Sequence, residues 1–141
     1  MKSIFIQRGV SLLEVLIATL VLTIGILGLA KLQGNALKAN HSAYMRAQAS
    51  ILAHEMLDIM RLDRESALGQ AYDGVFNVPP QTADTLVSSE LNRWVSYVLD
   101  RLPLGEAEIT TSGAGEVTIS VRWDDSRGEE PLQGFTLRTR L

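Results

Sequence analysis

Very few side chains in this sequence could carry acid–base, nucleophilic or metal chemistry. The chain has no cysteine, and its two histidines are His41 and His54. His54 begins a run similar to the His-Glu-x-x-His zinc motif, but Asp58 stands where the second histidine ligand is needed. The acidic run 124–130 lacks the ligand spacing of an EF-hand calcium loop. We therefore predict that the protein is not an enzyme and that it has no metal site or cofactor.

Glu14 is the exception, because its neighbours make a carboxylate unfavourable. It is the single ionisable group in the 21 residues from Val10 to Ala30. A helix of that length extends about 31 Å, enough to cross the hydrocarbon core of a bilayer. A carboxylate in hydrocarbon needs a cationic partner, and this stretch contains none. Glu14 is thus a candidate for an ion pair with a group from elsewhere.

The flanks of this stretch predict one membrane anchor with its N-terminus in the cytoplasm. Lys2 and Arg8 precede it, and the first nine residues contain no acid, which is the charge pattern of a cytoplasmic flank. From about Lys31 onward the chain is polar enough to be a soluble, extracytoplasmic domain. The net charge of −3 gives no basic face for a nucleic acid.

The junction Gln7–Glu14, with the sequence QRGVSLLE, resembles the processing site of type IV prepilins. Members of that family have a short basic leader that ends in glycine, an apolar segment behind it, and glutamate as the fifth residue after the cut. The resemblance implies that prepilin peptidase cleaves after Gly9. Val10, where most members have phenylalanine, would become an N-methylated N-terminus. Glu14 would pair with the N-terminal amine of a neighbouring subunit.

Later segments are similar to the PilV family of minor pilins, the type IV pilus modification proteins. They are residues 24–33, 46–61 and 117–125. This resemblance implies a scarce pilin of the bacterial inner membrane that later reaches the pilus. It would join other minor pilins and the major pilin in priming assembly and in the tip complex. Its further partners would be prepilin peptidase and the inner-membrane assembly platform.

The leader motif leaves two alternatives open. A type II secretion pseudopilin has the same leader, and a membrane-tethered periplasmic binding or sensor module could keep its anchor uncut. A secretory signal peptide fits less well, because its apolar stretch is shorter and Leu29-Ala30-Lys31 is a poor cleavage site.

The periodicity of the chain predicts an α+β protein, and the resemblance implies the type IV pilin fold. One helix is expected over about residues 10–61, with 10–30 in the membrane and 31–61 amphipathic, because no proline precedes Pro79. Its buried face is predicted to hold Met45, Ala49, Leu52, Met56 and Ile59, and its opposite side His41, Arg46, Gln48 and Asp58.

The periplasmic head is expected to span residues 62–141. Residues 62–83 predict a connecting loop, and a second helix is expected over about 85–102 with Asp84 or Ser88 as its cap. Alternation of apolar and polar side chains then predicts an antiparallel meander laid on the long helix. Its three strands are expected at about 106–111, 116–124 and 135–141.

Overall fold

The structure is a computed structural model that describes residues 11–81, 84–126 and 128–141. The chain divides into two compact units, the first ending at Asn40 and the second spanning His41–Leu141. A long apolar N-terminal helix, a four-stranded antiparallel sheet and a shorter helix confirm the predicted α+β class. In chain order the elements are α1 (Leu12–Leu62), α2 (Arg64–Leu68), β1 (Gly74–Phe76), α3 (Leu86–Arg101), β2 (Glu106–Thr111), β3 (Glu116–Trp123) and β4 (Gln133–Arg140).

α1 is long because nothing in its sequence stops it. Its 51 residues contain no proline and are rich in good helix formers. Thr19 and Thr23 place their hydroxyls on backbone carbonyls of the preceding turn. Thr19 Oγ1 donates to Leu16 O at 2.9 Å and Thr23 Oγ1 donates to Leu20 O at 2.8 Å. The helix therefore satisfies these two polar side chains by itself.

The C-terminal part of α1 forms one side of the hydrophobic core of the second unit. Of the five residues predicted to be buried, Ile59 is only partly buried. The buried face is wider than predicted, because Ala53, Leu57 and Met60 belong to it as well. A helix that packs against both a sheet and another helix must bury more than one narrow stripe. The full buried set of α1 is Met45, Ala49, Leu52, Ala53, Met56, Leu57 and Met60.

The connecting loop that the sequence predicts over residues 62–83 is correct only in part. The segment contains the five-residue helix α2 and the three-residue strand β1. Elements of this length are too short to give a periodic pattern. β1 forms because Gly74–Phe76 pairs with residues 107–109 of β2, a contact that the local sequence does not encode.

Tyr72, in the same segment, is fully buried and bonded to the residue that follows α1. Its hydroxyl donates to Asp63 Oδ2 at 3.1 Å. Burial, the hydrogen bond to Asp63 and the negative charges of Asp63 and Glu90 together raise the pKa of Tyr72 from 10.0 to about 12, and burial contributes most. The folded head therefore holds this phenol in its neutral form.

Alkaline pH is expected to destabilise the protein through Tyr72. The unfolded chain releases this proton near pH 10, whereas the folded chain keeps it until about pH 12. The free energy of unfolding should therefore fall by about 2 kcal/mol across that window. Urea unfolding of the full-length protein in detergent measures this decline. The Tyr72→Phe variant should lose less stability over the same pH range, and equal declines in both proteins would contradict the assignment.

α3 begins at Leu86, and its N-cap is Thr85 rather than the predicted Asp84 or Ser88. Thr85 has extended backbone dihedrals, and its Oγ1 accepts a hydrogen bond from Ser88 N at 3.2 Å. This bond satisfies one of the open N–H groups of the first turn. Asp, Thr and Ser are all good caps, so the sequence alone does not separate these three neighbours.

Removing the Thr85 cap is expected to destabilise the head slightly. Thr85→Ala should lower the free energy of unfolding by about 1 kcal/mol, because one N–H of α3 loses its acceptor. Urea unfolding of the full-length protein is the measurement. Asp84→Ala is the matched control and should change stability by less than about 0.5 kcal/mol. If Asp84→Ala loses more free energy of unfolding than Thr85→Ala does, Asp84 is the N-cap of α3 instead of Thr85.

Trp94 connects α3 to α1 at the centre of the core. Its side chain is fully buried, and its indole Nε1 donates to Leu52 O at 2.8 Å. Tyr97, one turn later, is 38% exposed, and the Arg101 guanidinium lies 5.2 Å from the centre of its ring. The two aromatic residues of α3 therefore differ in role, one belonging to the core and the other to the surface.

The sheet has the strand order β1-β2-β3-β4, with every neighbouring pair antiparallel. β2 has the predicted bounds, β3 ends at Trp123 rather than at 124, and β4 begins at Gln133 rather than at 135. Pairing with β3 carries β4 back to Gln133, although Gly134 interrupts the alternation there. Gly115, with φ +75°, forms the turn between β2 and β3, a conformation that glycine adopts without strain.

Candidate membrane and assembly surfaces

The N-terminal part of α1 presents an unusually apolar surface. All described residues up to Asn40 are exposed, and an 18-residue window of the helix reaches a mean hydropathy of 2.5 with none of it buried inside the protein. Among the described residues, this is the single helix long and apolar enough to cross a membrane. A core helix of a soluble protein would be covered by its own chain, so this surface is compatible with a single-pass anchor.

Glu14 lies in the first turn of α1, at the edge of that surface. Its N–H donates to Ser11 O at 2.9 Å, and its side chain is exposed. A negative charge is favoured at a helix N-terminus, where open N–H groups give a partial positive charge. Among the described residues, Glu14 takes part in none of the ion pairs.

The cation that follows Glu14 first along the helix is too far away to pair with it. Lys31 comes seventeen positions later, which is about 26 Å along a helix. A salt bridge needs a nitrogen and an oxygen within about 4 Å. Within the described part of the chain, the carboxylate therefore has no intramolecular partner.

The other predicted site residues lie outside the described residues. They are the leader cations Lys2 and Arg8, the leader end Gly9 and the new N-terminus Val10. The cleavage and methylation predicted at these positions therefore stay predictions from the sequence.

A second exposed apolar surface lies on the head portion of α1, opposite its buried face. Tyr44 is 57% exposed and Ile51 is 55% exposed; they are seven residues apart, with exposed Ala47 between them. This spacing places all three on one side of a helix, as at a helix–helix contact. The sequence-based prediction assigned this side to polar residues only. The seven-residue repeat of large apolar side chains is the signal that could have identified it.

Of the two histidines on α1, His54 forms a hydrogen bond within its own helix. His54 is exposed, and its Nδ1 lies 2.7 Å from Ser50 O, so the ring nitrogen donates to that carbonyl. Asp58, where a second zinc ligand would stand, pairs with Arg61 at 3.4 Å. Among the described residues, no group of three or more His, Cys, Asp or Glu side chains is placed to hold a metal ion.

The acidic loop after β3 is closed by its own hydrogen bonds. Asp124 Oδ1 accepts from Ser126 N at 2.8 Å and from Ser126 Oγ at 2.9 Å. Ser126 Oγ in turn accepts from Glu130 N at 2.7 Å. This carboxylate oxygen therefore shapes the loop.

The described residues thus contain two features that call for a partner: an apolar helix segment with a lone carboxylate, and the surface around Tyr44 and Ile51. Both are surfaces suited to association with lipid or with other helices. Comparisons of the chain with protein-family models, with curated proteins and with solved structures gave no match.

Proposed function

We propose that this chain is a minor pilin of a type IV pilus, similar to PilV, and that its function is structural. The observation that carries the proposal is Glu14, a carboxylate on an exposed, membrane-length apolar helix with no cation within reach among the described residues. Its position five residues after Gly9 is the position that prepilin processing gives to the conserved glutamate of that family.

Processing would create the cation that Glu14 lacks. Cleavage after Gly9 releases the amine of Val10, and N-methylation keeps that amine basic. The resemblance to type IV prepilins implies that the amine which pairs with Glu14 comes from a neighbouring subunit. A neighbouring subunit, displaced along the filament, can bring its own Val10 amine to this carboxylate. In a low-dielectric surrounding the attraction between the two charges is stronger than at a surface, and it offsets the cost of burying the carboxylate without a partner.

The apolar surfaces of α1 suit the two environments of a pilin, which are the membrane before assembly and the filament after it. Before assembly, the segment up to about Ala30 would lie in the inner membrane, with the N-terminus in the cytoplasm and the head in the periplasm. After extraction by the assembly platform, the same surface would be covered by other pilin helices. Tyr44 and Ile51 are exposed apolar side chains of the second unit, and we expect other pilin helices to cover them in the filament.

The experiment is to follow the chain into surface filaments. Pili sheared from producing cells should contain the mature protein at a small fraction of the major pilin, and deletion of its gene should reduce surface pili by more than tenfold. Sheared filaments without the protein, together with normal piliation in the deletion strain, would contradict the proposal. Co-purification with type II secretion components instead of pilus components would assign the chain to the pseudopilins.

A further inference from the structure

β4 leaves one long edge of the sheet open. It is the last strand in the order β1-β2-β3-β4 and pairs with β3 along all eight of its residues. The opposite edge strand, β1, has three residues. Within residues 11–81, 84–126 and 128–141, no other strand pairs with the free side of β4.

The free backbone groups of this edge can be identified. Leu141 N donates to Gly115 O at 3.0 Å, so odd-numbered residues of β4 direct their N–H and C=O groups to β3. In an antiparallel ladder the direction alternates from one residue to the next. The even-numbered residues therefore direct theirs away from the sheet; they are Gly134, Thr136, Arg138 and Arg140.

The usual protections of an edge strand are weak here. β4 contains no proline, and its register to β3 runs one-to-one without a bulge. Natural proteins commonly shorten, kink or cover such edges to prevent pairing with other chains. The features on β4 that oppose indiscriminate pairing are two positive charges, Arg138 and Arg140.

The apolar face of β4 is also incompletely covered. Val117, Ile119 and Val121 on the same face of β3 are fully buried. Their partners on β4, Leu137 and Phe135 among them, are only partly buried. The core thus ends at β4 with apolar side chains still in contact with water, and one additional strand would cover them.

The charges on the outer face of the sheet indicate what that strand should carry. On β2 and β3, the Arg122 guanidinium lies 3.1 Å from Glu108 and 3.5 Å from Glu106. Arg138 has a poorer partner, since its Nε lies 4.0 Å from Glu116 and the two side chains are 71% and 50% exposed. An incoming strand with acids at alternate positions would give β4 the same cross-strand pairing that β2 gives β3.

We propose that the free edge of β4 binds an extended strand of another protein subunit. That strand presents acidic residues on the outer face, next to Arg138 and Arg140, and apolar residues on the inner face, next to Phe135 and Leu137. This is the side-chain pattern of β2 itself, Glu-Ala-Glu-Ile. A second copy of β4 is the less favourable occupant, because it carries two arginines and no acidic residue to pair with Arg138 and Arg140. The inference does not rest on the proposed pilus function.

A peptide with the sequence Gly105–Ser112 tests this directly. It has the acidic and apolar alternation of β2 and matches the eight residues of β4 in length. Labelled with a fluorophore, it should bind the full-length protein in detergent, as measured by fluorescence anisotropy. Its binding should weaken at least fivefold when Arg138 and Arg140 are both changed to Glu. The peptide with Glu106 and Glu108 changed to Lys should instead bind the variant with Glu at positions 138 and 140 more tightly than the wild-type protein.

Thr136→Pro tests the backbone part of the proposal. It removes an N–H that points away from β3, so it blocks the edge while leaving the β3 ladder intact. We expect at least a tenfold loss of peptide binding, whereas the matched control Thr136→Ala should bind like the wild type. Unchanged urea unfolding of both variants shows that the head is folded.

Three results of the peptide experiments would overturn the inference. They are no binding of the peptide at millimolar concentration, equal binding by Thr136→Pro and Thr136→Ala, and equal binding of the acidic and lysine peptides. Sedimentation tests the remaining alternative. If the wild-type chain is a dimer and Thr136→Pro is a monomer, the edge of β4 binds a second copy of the chain instead of an acidic strand, and this result would also overturn the inference.

Discussion

Replacing Glu14 by alanine is expected to leave prepilin cleavage intact and to exclude the chain from filaments. Without the carboxylate, the methylated amine of the adjacent subunit would be buried without a counter-ion. Removing one partner of a buried ion pair is destabilising by about 3 kcal/mol or more, so incorporation relative to the wild type should fall on the order of a hundredfold. Quantitative immunoblots of sheared filaments and of membranes measure this ratio.

Two further variants make the Glu14 result specific. Glu14→Asp keeps the charge on a shorter side chain and should restore part of the incorporation. Glu55→Gln neutralises another acid of α1 that lies in the head and outside the apolar segment, so it should incorporate normally. Normal incorporation of Glu14→Ala into filaments would show that Glu14 does not form the proposed ion pair. Equal defects in Glu14→Ala and Glu55→Gln would show that the total charge of α1, rather than a pair at Glu14, determines incorporation.

Replacing Trp94 by alanine is expected to cause the largest loss of stability in the head. The indole is fully buried among α1, α3 and the sheet, and its Nε1 holds the Leu52 carbonyl at 2.8 Å. Truncation of a buried tryptophan leaves a large cavity and lowers the free energy of unfolding by about 3–5 kcal/mol. A domain of this size has roughly 5–15 kcal/mol in total, so much of the protein would unfold in mild urea.

Tyr97→Ala is the matched control, since it removes an aromatic residue from the same helix. Tyr97 is 38% exposed, and its cation–π contact with Arg101 lies at the surface, where such contacts are worth about 0.5–1 kcal/mol. Urea midpoints of the full-length protein in detergent compare the two. If Trp94→Ala shifts the midpoint no more than Tyr97→Ala does, α3 is not anchored to α1 through the indole.

Strong periodicity explains which parts of the fold could be predicted from the sequence. α1 and β3 each show their period over several repeats, and both appear where expected. β1 depends instead on a partner strand more than thirty positions later, and its three residues are too few for a pattern. The cap at Thr85 depends on which of three suitable neighbours has extended backbone dihedrals, and local composition does not determine that.

The residues of the candidate surfaces also differ in whether the sequence identifies them. Glu14 stands out in the sequence because a single charge interrupts a membrane-length apolar stretch. The sequence does not single out the surface of Tyr44 and Ile51, because the buried face of α1 explains the amphipathic pattern and polar residues share the remaining side. Burial values separate the two faces where hydropathy alone does not, since large apolar side chains occur on both.

The open edge of β4 lies beyond sequence prediction for a different reason. Alternation in residues 133–140 predicts a strand, but it does not say whether that strand lies at the edge or the centre of a sheet. The strand order puts β4 at the edge, and the partial burial of Phe135 and Leu137 then distinguishes an unfinished apolar face from a completed one.

The intact mass and N-terminal sequence of the protein from native membranes show whether a cation is created for Glu14. In cells with prepilin peptidase, we expect the chain to begin at Val10 and to carry one added methyl group, while cells without the peptidase retain residues 1–9. A chain that still begins at Met1 when the peptidase is present would leave Glu14 without its proposed cation and would rule out the proposed pairing.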